Sequence, residues 1–244
     1  MTQYLTEEPV QIHIAATNVR RMSALEIDLR RQMVRIARSM HRLGYAPATA
    51  GNLSVRLDAH RILATPTGCS KSLLKAIDMV IVDSEGNKLS GLRNVTSEIG
   101  MHLAVYRMRP DVRAIVHAHP PIATAFAACR KPLDQPICSE IVMTTGMVPL
   151  ARYATTGTEE LSTSLEPFIP NHDAILLANH GLLTYGETLL DAFMKTESVE
   201  HFAQVCLAAK QLGGAVPLEN ADLEKLRHAR TRYLRNASVE PCNS

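Results

Sequence analysis

The run Arg113-Ala114-Ile115-Val116-His117-Ala118-His119-Pro120-Pro121 decides how the rest of this chain is read. Its apolar start predicts a strand over 113–118, and two histidines at i and i+2 of a strand project from the same face, so both imidazoles can reach one metal ion. The prolines end the strand and open a helix to about Cys129, proline being tolerated in a first turn. The pair therefore stands at a strand edge, where clefts form. A second apolar strand, predicted over 173–178, ends in the same manner on Asn179-His180-Gly181. Two strand ends thus offer three histidines. Three imidazoles with an open fourth position are the ligand set of a catalytic zinc, since structural sites are usually closed and rich in Cys. The bland alternatives are packing or surface for the pair, and a turn-capping polar residue for His180.

Working outward, apolar residues three to four apart predict an amphipathic helix over 18–43, which Gly44 stops. Runs over 52–57, 61–65 and 79–83, separated by turn signals, read as strands. Thr96-Ser97 before Glu98 predicts a helix with a hydroxyl cap that ends before Pro110. A further strand is expected over 140–143, helices over 157–167 and 188–212, and a short helix over 220–233. The sum is an α/β fold with a mostly antiparallel sheet flanked by helices. Residues 1–244 are read as a single domain, with a core over about 25–210 and a C-terminal helix and tail over 214–244.

Composition narrows the partners. The chain has 244 residues, 46% hydrophobic and 20% charged, enough to bury a sizeable core. Its 26 Lys+Arg against 24 Asp+Glu leave a formal +2, with no excess to neutralise a nucleic-acid backbone. Five scattered cysteines without a C-x-x-C pair suit a reduced compartment. With neither an N-terminal signal pattern nor an apolar run of membrane-spanning length, the expectation is a cytoplasmic protein without a membrane partner.

Other residues complete a chemical picture. Glu98 is a fourth ligand or a general base, or else a carboxylate complementing a helix dipole. His102, one turn on, reads as a packing histidine or one that supports the site from behind. Ala50-Gly51-Asn52-Leu53-Ser54 and Thr65-Pro66-Thr67-Gly68-Cys69-Ser70-Lys71 are Gly/hydroxyl segments of the kind whose backbone N–H groups cradle a phosphate, with the helix start at Thr96-Ser97 nearby. Neither matches a nucleotide-binding motif.

In order, Gly51-Asn52-x-Ser54, Thr65-Pro66-Thr67-Gly68, Ser97-Glu98, His117-x-His119-Pro120 and Asn179-His180-Gly181 resemble the class II aldolase/adducin family, most closely its fuculose-phosphate aldolase branch. The resemblance runs from about Leu25 to Ala209. It implies a three-layer α/β/α fold and a homotetramer with active sites at subunit interfaces. Carried over, His117, His119 and His180 would bind one Zn²⁺ per subunit, or another divalent metal. Glu98 would be the acid/base and would also touch the metal when no substrate is bound. Asn52, Thr67, Gly68, Thr96 and Ser97 would hold the substrate phosphate. The branch also has an interface tyrosine that exchanges a proton with the aldehyde's oxygen, and Cys138 falls at its position here. A second family tyrosine, near the C-terminus, corresponds to Tyr233.

The implied reaction is cleavage of a small sugar phosphate, a ketose 1-phosphate, into dihydroxyacetone phosphate and an aldehyde through an enediolate, with Zn²⁺ as Lewis acid and no lysine Schiff base. Other reactions on the same enediolate are decarboxylation of a 3-oxo-acid phosphate, dehydration of a thiosugar phosphate, and sugar-phosphate 4-epimerisation. The epimerase branch usually has Asp where this chain has Glu98. An adducin-like module without catalysis would lack the histidines.

Overall fold

The computed structural model describes residues 22–237, with side chains to residue 230. Eight strands form one sheet among them: β1 (Asn52–Arg56), β2 (Ile62–Ala64), β3 (Val80–Val82), β4 (Lys88–Ser90), β5 (Ala114–Ala118), β6 (Leu150–Ala151), β7 (Ala174–Leu177) and β8 (Gly181–Gly186). Their order is β4-β3-β2-β1-β5-β8-β7-β6, and all neighbours are antiparallel except β6 and β7. The helices are α1 (Ala24–Arg42), α2 (Ile99–Met108), α3 (Pro121–Ala128), α4 (Ser139–Met143), α5 (Glu159–Leu165), α6 (Leu189–Gln211) and α7 (Asn220–Ala237). None is long and apolar enough to cross a membrane.

Strand alternation produces the layers. Ile115 of β5, Ile175 and Leu177 of β7, and Leu183 and Tyr185 of β8 pack with α2 and α5 on one face. On the other face Leu53 and Val55 of β1 and Val116 of β5 pack with α1 and the start of α6, while Leu176 of β7 and Leu182 of β8 pack with α3, α4 and the rest of α6. The arrangement is the expected three-layer α/β/α fold. At one edge Arg30 and Glu26 of α1 form a buried ion pair at 2.8 Å, and Arg30 also donates to the carbonyls of Ala76 and Met79. That guanidinium ties α1 to the turn before β3 with its charge and donors satisfied, as burial demands.

Two expectations are corrected, and three strands are added. Residues 140–143 form helix α4, because Ile141 and Val142 are both buried in the same cluster; consecutive strand residues would face opposite ways. The turn closes through Thr144 N donating to Glu140 O at 2.9 Å and Gly146 N donating to Ile141 O at 2.7 Å. Helix α2 begins after Glu98, which makes no side-chain capping bond. Thr96 Oγ1 instead accepts from Glu98 N at 3.3 Å ahead of the helix, and the Glu98 carboxylate points elsewhere. Strand β8 has no counterpart among the predicted elements. It is central, pairing with β5 and β7, yet glycines at both ends make it read as loop. Strands β4 and β6, of three and two residues, were likewise unforeseen. Of the first predicted helix, residues 18–21 lie outside the described residues.

The β7–β8 hairpin turns through Asn179, whose φ of 57° is left-handed, a conformation asparagine tolerates. His180 follows, and Gly181 then passes close to β5. A Cβ at Gly181 would sit 2.6 Å from Ala118 O and 2.6 Å from His119 Cδ2. Gly181→Ala is therefore expected to push His119 aside and to lower stability by about 1–3 kcal/mol. Urea unfolding together with metal content checks this; an unchanged midpoint and full metal loading would contradict it.

Candidate active site

The site sits where the ends of β5, β7 and β1 meet the start of α2. Register places Asn52 of β1 directly beside His117 of β5, both on the α2 side of the sheet. His117, His119 and His180 each bring one ring nitrogen to within 4.8 Å of the others. Their ring centroids lie 4.6 to 5.1 Å apart. His117 Nδ1 donates to Leu182 O at 3.0 Å. A carbonyl can only accept, so the proton is on Nδ1 and the Nε2 lone pair is free. That lone pair faces His119 Nε2 at 3.0 Å and Glu98 Oε2 at 3.4 Å. His180 Nε2 lies 3.2 Å from Glu98 Oε1.

The residues fit a divalent metal. Glu98 Oε1 and His180 Nδ1 are buried with no hydrogen-bond partner, and a ring of inward nitrogens beside a carboxylate is a donor set that a cation completes. Charge states agree. Burial, with the neighbouring histidines adding to it, pushes His117 well below its ordinary pKa and His119 down to about 4, so both imidazoles are neutral ligands at neutral pH. Burial raises the Glu98 carboxyl, but His117, His180 and the Asn52 amide outweigh it and hold it below the usual carboxylate range. No sulfur belongs to the cluster.

Behind Glu98 runs a buried chain of polar groups. Asn52 Nδ2 donates to Glu98 Oε2 at 2.8 Å, and Asn52 Oδ1 accepts from His102 Nε2. On its other side His102 Nδ1 accepts from Ser54 Oγ at 2.7 Å, which also meets Tyr106 OH at 2.9 Å. His102 is fully buried, and burial draws its pKa down to about 4 against the pull of Glu98. It supports the site from behind, one of the two roles its spacing allowed.

A cleft of about 380 Å³ opens onto this cluster. Glu98, His119 and His180 line it together with Asn52, Thr67, Gly68, Thr96 and Ser97. The metal and phosphate candidates thus meet at one cavity. Thr67 N and Thr96 N are spent on Asn94 O and Thr65 O. The N–H groups of Gly68 and Ser97 have no acceptor among the described residues, which leaves donors for an anion. Thr156 lines the cleft too. Sequence reasoning does not single it out, since its only signal is a hydroxyl beside Gly157.

One candidate falls elsewhere. Cys138 precedes α4 and lines a separate cavity with Glu197, Ser198 and His201, away from the cleft of its own chain. The side chain of Tyr233 lies outside the described residues.

Residues 31–207 match the family described as Class II Aldolase and Adducin N-terminal domain. The chain is 37% identical over 199 residues to a 3-oxo-tetronate 4-phosphate decarboxylase of Haemophilus influenzae, covering 79% of this chain and 94% of that protein. It is 34% identical over 174 residues to an L-fuculose phosphate aldolase of Methanococcus maripaludis, covering 71% and 93%. Its fold matches a solved L-fuculose 1-phosphate aldolase with a TM-score of 0.79 at 33% identity, covering 86% and 98%. The matched stretch contains the whole sheet from β1 to β8 together with Glu98 and all three clustered histidines, and the chain belongs to the class II aldolase/adducin family.

Proposed function

We propose that the protein is a zinc-dependent carbon–carbon lyase acting on a small phosphorylated carbonyl compound. The observation that carries this reading is the convergence of His117, His119, His180 and Glu98 on a cleft whose remaining wall offers the Gly68 and Ser97 N–H groups. The three histidines would hold the metal, which when bound supplies Lewis-acid charge to the substrate carbonyl as the neighbouring carbon becomes electron-rich. Glu98 touches the same point and would occupy the remaining position before substrate arrives. It then moves a proton to or from that carbon, held in place by Asn52 and His102. Thr67, Gly68, Thr96 and Ser97 bind the phosphate, with the second N–H of the Asn52 amide available to it.

Retro-aldol cleavage of a ketose 1-phosphate to dihydroxyacetone phosphate and an aldehyde is the first reaction this supports. Decarboxylation of a 3-oxo-acid phosphate is the second, and two observations favour it: the Haemophilus relative's name, and a cysteine, Cys138, where the resemblance implies the tyrosine that serves the aldehyde's oxygen. Loss of carbon dioxide requires protonation only at carbon, which Glu98 can supply, whereas release of an aldehyde requires a further group at its oxygen. Tyr233, the counterpart of the second family tyrosine, is proposed as a further catalytic residue. The retained histidine set argues against a non-catalytic module.

We also propose a cytoplasmic homotetramer. Exposed Leu73, Ile77, Leu89 and Leu92 are the apolar surface such an assembly would cover.

The deciding experiment is a product screen of zinc-loaded protein against phosphorylated ketoses and 3-oxo acids. Dihydroxyacetone phosphate identifies the aldolase and carbon dioxide the decarboxylase; release of neither across the panel would sink the lyase reading. Glu98→Gln should keep its zinc and lose about 10²–10⁴-fold in kcat, measured with the substrate so found. His119→Ala should lose the metal while its circular dichroism stays that of the parent. Full activity in that variant would refute the metal assignment.

A further inference from the structure

Lys71 is a buried cation that neither the metal cluster nor the polar chain behind Glu98 uses. It lies on the loop after Gly68 and is 1% exposed. Its ammonium donates to Thr49 O at 3.2 Å and to Cys69 O at 3.1 Å. Both acceptors belong to the cleft wall or adjoin it, since Thr49 and Gly68 line the cavity. One side chain therefore pins together the two Gly/hydroxyl loops that carry Asn52 and Thr67.

Its electrostatic position is unusual. Buried charges are normally paired, because an uncompensated ion in a protein interior is costly. Among the described residues no carboxylate forms an ion pair with Lys71; both acceptors are neutral carbonyls. Two of its three N–H groups are used. The strain is visible in its pKa, which burial lowers to about 8 although Cys69 and Glu98 act in the opposite direction. Its charge also reaches the metal cluster, where it depresses His119. A cation kept buried without a counter-ion, behind loops that leave N–H groups free, is a site awaiting an anion.

We propose that Lys71 is the charge of the phosphate site: it positions the Thr49 and Gly68 loops and supplies the positive potential that makes the cleft select a phosphate dianion over neutral carbonyl compounds. This deepens the proposed function and rests on its phosphate site. Among the described residues the rest of that site consists of hydroxyls and N–H dipoles, so Lys71 is the one full positive charge they bring to it besides the metal.

The test uses zinc-loaded protein and inorganic phosphate as the probe, with Lys71→Gln and Lys71→Met compared with the parent by calorimetry. Gln can still donate to carbonyls but carries no charge. Both variants should bind phosphate about tenfold or more weakly with zinc content unchanged, and should raise KM for a phosphorylated substrate in proportion. Parental affinity in Lys71→Gln would mean that the residue only braces the loops, and would overturn the charge role alone. A parent that binds no phosphate would overturn the phosphate site and this inference together. Should neither variant fold, a crystal structure of the parent with phosphate decides: an anion seated on the Gly68 and Ser97 N–H groups beside Lys71 supports the proposal, and one bound elsewhere overturns it.

Discussion

A histidine can offer its Nε2 lone pair to a metal only if its proton is held at Nδ1. At His117 the Leu182 carbonyl does this at 3.0 Å, and the carbonyl exists in that place because β8 lies against β5. Much else follows from that pairing. It brings the β7–β8 turn, and with it His180, to the side of the sheet edge where His119 emerges. It also forces a residue without a side chain at Gly181, since the two strands leave no room for a Cβ beside His119. The central pair of strands is thus a mount for the three histidines as well as a ladder of the sheet.

The second constraint is charge. Glu98 is largely withdrawn from water and still held ionised, which requires donors in fixed places. Asn52 provides one, and the amide cannot flip because its oxygen already accepts from His102. His102 is oriented in turn by Ser54. Since β1 carries Asn52 and Ser54 on one face, and Glu98 stands immediately before α2, which carries His102 and Tyr106, the carboxylate is aimed from a strand and the start of a helix, both rigid elements. A loop-borne acid would have needed separate support.

Much of this was legible in the sequence. The i, i+2 spacing of His117 and His119 and the repeated strand-end pattern at His180 point to three histidines that share one site, because strand periodicity is strict and an apolar run is easy to see. The order of the Gly/hydroxyl motifs assembled the cleft. The misses share a cause. Strand β8, bracketed by Gly181 and Gly186, looks like loop unless its partners are known, and α4 looks like strand because Ile141 and Val142 are β-branched; in both cases long-range packing overrides local preference. The capping role expected of Thr96-Ser97 went partly unrealised because Glu98 is turned towards the histidines, an interaction that spans residues 98 to 180 and leaves no local trace. Lys71 belongs to the same class. A lysine in a hydroxyl-rich turn reads as solvated until burial is known.

The near-neutral net charge of +2 sharpens this last point. A protein with a broad basic face attracts phosphorylated compounds from a distance and is screened by salt over roughly 10 Å at 0.1 M. This chain has no such excess, so discrimination in favour of a phosphate has to be generated within the cleft. There a buried ammonium acts through a low-dielectric wall in which Coulomb energies are several times those in water. Carbonyls on Thr49 and Cys69 keep that ammonium from seeking solvent without neutralising it. The same wall holds the free N–H groups, so the charge and the directional donors reach an anion together. On the role proposed for Lys71, selectivity rests on one local charge, whose burial an incoming phosphate would offset.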